Sequence, residues 1–370
     1  MANQKPRKSL AIVVGNGFVM DLANTLKIDQ FINTSCSNLL NPIAMHTPDF
    51  TPLNQHQDYL EGKLWRQDLW PNLHKAYSDG ITFWQIAESC STTTMSSSKI
   101  SSTFTVKKYD TIEIELRYYL YYLFIWYTAR YKEFIILHSR LLETSFWGEF
   151  SVLLSRMQNF FAISYNYDTI FESTLFNSSL NAMGPSPELA LKNCDEELYP
   201  GEFMCLKPHG SVSHACRIGE TNAPWRGGLS IESTKVIESK NSRGFFKIGF
   251  PPPFCSCYLD ILLPGSNLKT LEPANSTVHQ AISHLGHGVE RVLFLGFNGG
   301  HADLNETRQL IKSFPKLKSV AILLTDRDFN PPVGVKPAGI VEILSTDYDS
   351  IEAVFVKPNE KHRLIEWLNK

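Results

Sequence analysis

A chain of 370 residues, 43% apolar and 19% charged, has the composition of a soluble globular protein and the length to bury a large core. Its net charge of −2 excludes a bulk electrostatic pull toward nucleic acid or a membrane surface, and the basic start (Lys5, Arg7, Lys8) reads as a solvated tail. The apolar run Leu10–Val14 is too short for a secretory signal, and seven cysteines without one suggest reduced thiols in a cytoplasm. None forms a C-x-x-C pair, so no zinc knuckle is expected.

In chain order, a strand over Leu10–Val14 runs into Gly15-Asn16-Gly17 and a helix with Phe18, Leu22 and Leu26 on one face. The third glycine of a dinucleotide fingerprint is absent, because Met20 holds its position. A region of short apolar pieces follows and ends in a polar linker, Ser91–Thr103. Asp110 and Glu113 then form a capping-box pattern before the aromatic tract YYLYYLFIWYTA (Tyr118–Ala129). A 12-residue helix spans roughly 18 Å, well short of a ~30 Å bilayer core, so a buried helix is expected there, or else a subunit interface. A second helix is expected over Phe146–Met157.

The strand FFAIS (Phe160–Ser164) leads into Asn166-Tyr167-Asp168, with Thr169 and Glu172 as a further capping box. CLKPHGSVSH (Cys205–His214) reads as a short strand ending in a Pro-His-Gly turn. Ser276–Leu285 reads as a helix with Val278, Ala281, Ile282 and Leu285 inward, followed by a buried strand from Arg291, a Gly-rich turn, and a helix opened by Asp303 and Glu306. SVAILLTD and GIVEIL read as two further strands before DYDSIEAVF and a terminal helix. Strands joined by helices predict a Rossmann-like α/β fold with a mostly parallel sheet flanked by helices. A single domain over 1–370 is expected, with a helical and loop insertion at about 30–158 and an irregular one at about 214–275.

Four turns thus fall at strand carboxyl ends, where ligands bind in parallel sheets: Gly15-Asn16-Gly17, Asn166-Tyr167-Asp168, Pro208-His209-Gly210 and Gly296-Phe297-Asn298. Each alone is compatible with a plain turn, a helix cap or a structural histidine. Their order, GNGF, YNYD, KPHG and GFNGGHADL, resembles the sirtuin-like (silent-information-regulator) family. The likeness covers about Leu10–Leu26, Phe160–Glu172, Leu206–Ser213 and Ser276 to the final strand; Lys27–Asn159 and His214–Asn275 match loosely or not at all. Protein-deacylating members usually carry a four-cysteine zinc module and Gln where this chain has Tyr165. The N-Y-D form and the helical insertion are more similar to the prokaryotic antiphage branch, which hydrolyses NAD. Two departures touch cofactor positions: the frequent Gly-Ala-Gly is Gly-Asn-Gly here, and Asn298 and His301 replace a serine and an aspartate.

The resemblance implies a cytoplasmic NAD glycohydrolase without metal, acting in abortive infection. Asn166 and His209 would be catalytic, Asn166 orienting ribose hydroxyls and water and His209 acting as general base. Asp168 would bind the nicotinamide amide. Gly15 and Gly17 would let backbone approach the diphosphate at the helix start, with Asn16 and Phe18 lining that pocket. Gly296 and Asn298 would face the adenosine ribose or phosphate, with Asp303 a helix cap first and a ligand second. A homo-oligomer, and for some relatives a ring-forming ATPase partner, are further implications. The alternatives are a non-catalytic subunit that binds NAD or ADP-ribose, and an NAD-dependent deacylase or ADP-ribosyltransferase.

Overall fold

The computed structural model describes residues 9–27, 70–81, 134–157, 159–176, 181–183, 202–217, 234–236, 257–261, 273–299, 304–324, 338–348 and 350–370, with isolated positions between 67 and 134. The linker Ser91–Thr103, the Asp110/Glu113 pair and Asp303 lie outside the described residues.

Ten strands are described in chain order: β1 (Leu10–Val14), β2 (Phe160–Ser164), β3 (Asn181–Met183), β4 (Glu202–Leu206), β5 (Gly210–Arg217), β6 (Thr234–Val236), β7 (Cys257–Ile261), β8 (Arg291–Leu295), β9 (Ser319–Leu323) and β10 (Glu352–Val356). Six form a parallel sheet in the order β10-β9-β8-β1-β2-β4, and the three-residue β3 extends it at one edge, also parallel. The Rossmann-like α/β class expected from the sequence is the class observed. β1 is central, with Leu10 level with Phe160 on one side and with Arg291 on the other.

The alternation of strand side chains sorts the core into two layers. Leu10, Ile12, Val14, Phe160, Ala162, Leu293, Leu295, Ala321 and Leu323 point to one face. There they meet α1 (Asn16–Leu26), the helix Phe146–Ser155 and the terminal helix His362–Leu368. Ala11, Val13, Phe161, Ile163, Val292, Phe294, Val320 and Ile322 point to the other. That face is covered by Pro273–Gly286, Leu304–Lys312 and Gly339–Asp347. Because both faces are covered, the strands read as continuous apolar runs, as parallel strands do.

The helical insertion joins the first layer. Leu116, Tyr119, Leu120, Leu123 and Tyr131 are helical and fully buried there, so the described part of the aromatic tract is core. The short helix Pro71–Ser78 is capped from this segment: the Glu115 carboxylate accepts from the Asn72 and Leu73 backbone N–H groups at 2.9 and 3.0 Å. Among the described residues no helix is long and apolar enough to cross a membrane.

Three expectations are corrected. GIVEIL is a helix, not a strand: Gly339, Ile340, Ile343 and Leu344 are its buried residues, spaced for one helical face. A short apolar run does not by itself separate a buried strand from a buried helix. The Thr169/Glu172 capping box is not closed, because Glu172 Oε1 accepts instead from Lys207 Nζ at 2.9 Å. The stretch expected to be irregular contributes β6 and β7, which flank β5 in a separate antiparallel sheet of order β6-β5-β7.

The chain leaves β1 toward β2 on one side and returns to β8 on the other. The strand order therefore reverses at β1 and β8, and a crevice is expected at their carboxyl ends.

Candidate functional site at the carboxyl ends of the strands

The turns after β1 and β8 are locked together across this reversal. Gly15 N–H donates to the Leu295 carbonyl and Gly17 N–H to the Gly296 carbonyl, both at 3.0 Å. The backbones approach so closely that a Cβ on Gly15 would lie 2.6 Å from the Gly296 oxygen, and one on Gly17 2.7 Å from its Cα. Gly296 has φ +58°, and a Cβ there would lie 2.2 Å from Phe18 N. The glycines expected to cradle a diphosphate thus serve first to join the two turns, and the Gly17 N–H is spent on that junction.

Gly80 supplies a control, since its φ is +75° but nothing lies within 4 Å of an added Cβ. Gly80→Ala should cost only the left-handed conformation, about 1–2 kcal/mol. Gly296→Ala should cost about 1–3 kcal/mol more, because it also forces the turns apart. Urea midpoints for the two variants check the difference.

The other residues expected near these turns are placed as follows. Asn16 is exposed at the start of α1. Phe18 is 1% exposed and packs edge-on against Trp147 and Phe171, at 4.7 and 5.2 Å between ring centres, so its ring is part of the core. Asn298 is exposed, and its carbonyl accepts from Ile340 N–H at 3.0 Å.

The β2 turn is tied to β1 by Tyr165 N–H donating to the Val14 carbonyl at 2.9 Å. Next comes Asn166, 7% exposed, whose backbone N–H donates to Ser164 Oγ at 3.4 Å. Its side-chain Nδ2 is buried and makes no hydrogen bond with the described residues. A buried donor left unsatisfied costs roughly 1–3 kcal/mol, so it marks a place where the protein forgoes stability.

Asp168 begins the following helix by accepting from Ile170 N–H at 3.0 Å. Below it lies a fully buried cluster absent from the sequence reading. Lys207 Nζ donates to Glu172 Oε1 and to the Asp168 carbonyl oxygen, and the Cys205 thiol faces the same Glu172 oxygen at 3.7 Å. Burial would depress Lys207, but Glu172, Cys205 and Asp168 outweigh it and hold the ammonium above its usual range. Burial first, and Glu172 second, push the Cys205 thiol up.

Burial also raises the Asp168 carboxyl from 3.8 to about 6, against the opposing pull of Lys207 and the Ile170 N–H. Between these values the folded chain keeps a proton that the unfolded chain has lost. Stability should therefore fall as pH rises through this window, the reverse of a salt-bridged carboxylate. The gap corresponds to about 3 kcal/mol. Denaturation midpoints from pH 4 to 7 should show Asp168→Asn gaining on the wild type as pH rises; a constant difference would refute the assignment.

His209 follows β4 and is 8% exposed. Its Nε2 faces both oxygens of Glu306, at 3.2 and 3.0 Å, across 97 residues of sequence. Glu306 sits in the first turn of Leu304–Lys312, the helix after β8. His279 Nε2 lies 3.7 Å from the other Glu306 oxygen. The Tyr165 ring meets the imidazole edge-on at 4.9 Å, and Tyr165 also packs on Phe297 at 4.8 Å. Tyr167 is tilted over the same imidazole at 6.5 Å.

The four turns are thus linked: β1 to β8 through the glycines, β1 to β2 through Tyr165 N–H, β2 to β4 through Lys207 and the tyrosines, and β4 to the helix after β8 through Glu306. Asn166 and His209 share one end of the sheet, with Tyr165 and Tyr167 bracketing Asn166 in sequence and both facing His209. The sequence reading missed Lys207, Glu172 and Glu306 as parts of this site. Among the described residues no group of three or more His, Cys, Asp or Glu side chains is arranged to hold a metal ion. Comparison with known proteins finds no family model that matches the chain and no curated relative.

Proposed function

We propose that the chain hydrolyses NAD at the nicotinamide–ribose bond, releasing nicotinamide and ADP-ribose. The observation that carries this reading is the buried Asn166 Nδ2, without a hydrogen bond to the described residues, on the same carboxyl end of the sheet as the buried His209. A buried amide donor without a partner among the described residues suits an oxygen of a bound molecule. The order of GNGF, YNYD and KPHG resembles the sirtuin-like family, and the N-Y-D form its antiphage branch, which supports NAD as that molecule.

The chemistry asks little of the protein beyond position and one proton acceptor. Water attacks C1′ of the ribose, and the C1′–N bond breaks with its electron pair going to the pyridinium nitrogen, which leaves as neutral nicotinamide. The water proton passes to His209, and the ribose keeps the new hydroxyl. Asn166 would hold the ribose hydroxyls and the water in line, while a general base such as His209 contributes ~10²–10⁴-fold. Asp168, part-protonated near neutral pH, is suited to the nicotinamide carboxamide because its carboxyl can either accept or donate.

The test is to incubate the full-length protein with NAD, with and without co-purified partners, and to follow free nicotinamide. Release without any acceptor supports hydrolysis. Release only in the presence of an acyl-lysine peptide or an acceptor protein would favour group transfer. Tight NAD binding without release would favour a sensor or structural subunit.

A further inference from the structure

The contact between His209 and Glu306 has a chemical consequence for the imidazole. A neutral imidazole carries one N–H, and the nitrogen that keeps it is set by its hydrogen-bond partner. Glu306 is 8% exposed and faces Nε2 with both oxygens. A carboxylate only accepts, so the contact is favourable when Nε2 bears the proton. His209 Nδ1 takes no hydrogen bond from the described residues, and the ring itself is walled by Tyr165 and Tyr167.

We propose that Glu306 is the positioning residue of His209: it fixes the Nε2–H form and leaves Nδ1 as the proton-accepting atom. The proposal rests on the reading of His209 as the general base. During turnover the water proton goes to Nδ1, giving an imidazolium whose Nε2–H still donates to Glu306. The carboxylate stabilises that charge without taking the proton, and the water oxygen is left bonded to C1′. The same pairing logic orients histidines in hydrolytic triads, where a wrong ring form is severely damaging. His279 Nε2 lies 3.7 Å from Glu306 Oε1, outside hydrogen-bonding distance, so the hydrogen bond at this carboxylate that the proposal uses is the one from His209.

The experiment is nitrogen–proton correlation of the histidine side chains in the full-length protein, with His209 assigned by the signal lost in His209→Gln. The wild type should show His209 in the Nε2–H form. Glu306→Leu should give a mixture of both forms. Its kcat for NAD should fall about 10²-fold, the low end of a general base's contribution, with KM within about two-fold. Glu306→Asp should restore the Nε2–H form and part of kcat. If Glu306→Leu does not fold, Glu306→Gln carries the test, because its amide can present either a donor or an acceptor and so should loosen the preference. A wild-type Nδ1–H form, or a ring form indifferent to Glu306, overturns the proposal. The two readings fail separately: no nicotinamide release by the wild type sinks the hydrolase, while the ring form still decides what Glu306 does.

Discussion

Asn166→Ala is expected to abolish nicotinamide release while keeping folding stability within about 1 kcal/mol of the wild type. The two halves of that expectation come from one atom. Nδ2 of Asn166 is buried without a hydrogen bond to the described residues, so removing it discards a desolvation penalty of roughly 1–3 kcal/mol that offsets the packing lost. The backbone N–H that bonds Ser164 Oγ remains in place. A side chain that costs the fold and serves only a bound molecule should show this split between stability and activity. Nicotinamide release and urea midpoints measured on the same preparation check it, and normal turnover would end the NAD assignment.

His209 needs a different substitution. Alanine would remove the His209 partner of the Glu306 carboxylate, 8% exposed, and so would confound loss of activity with loss of stability. His209→Gln can still donate an amide proton to Glu306 while lacking a proton acceptor of imidazole strength. It should be folded and inactive.

The contrast between Asn166 and Glu306 shows what a single sequence discloses. Asn166 was legible because it follows an apolar five-residue strand and precedes a helix, so its place at a sheet end follows from local pattern. The same logic placed β1, β2 and β8 within their observed bounds. Glu306 was read as a helix-start signal, which any carboxylate in a first turn satisfies; its pairing with His209 spans 97 residues and is set by tertiary structure alone. Lys207, lying before a proline, carries no local signal of burial, and its burial follows from β4 taking an interior position beside β2. GIVEIL failed for another reason, since buried helices and buried strands share composition, and only its neighbours decide between them. The glycines of GNGF were legible as a tight approach of backbone, but the partner that approaches is the Gly296 turn.

Lys207→Met should destabilise the chain by about 3–5 kcal/mol, the cost of leaving one charge of a buried pair uncompensated. Glu172 would keep both oxygens out of water, and its Oε2 already lacks a hydrogen-bond partner among the described residues. Because Lys207 titrates above its usual range, its contribution is fully present below pH ~10.5 and is lost only as pH rises through the raised value. The penalty should therefore be constant from pH 7 to 9 and distinct from the Asp168 window below. The double variant Lys207→Met, Glu172→Leu should recover most of the loss, since a buried pair can be replaced by apolar volume at little cost. NAD turnover should not recover with it. Lys207 also donates to the Asp168 carbonyl oxygen and opposes the rise of that carboxyl, so the turn carrying Asn166 loses its tie and Asp168 is driven further toward its neutral form. A double variant no more stable than the single one would show that Lys207 and Glu172 do not act as a pair. One that is stable and fully active would show that the cluster holds the fold and leaves the site to Asn166 and His209.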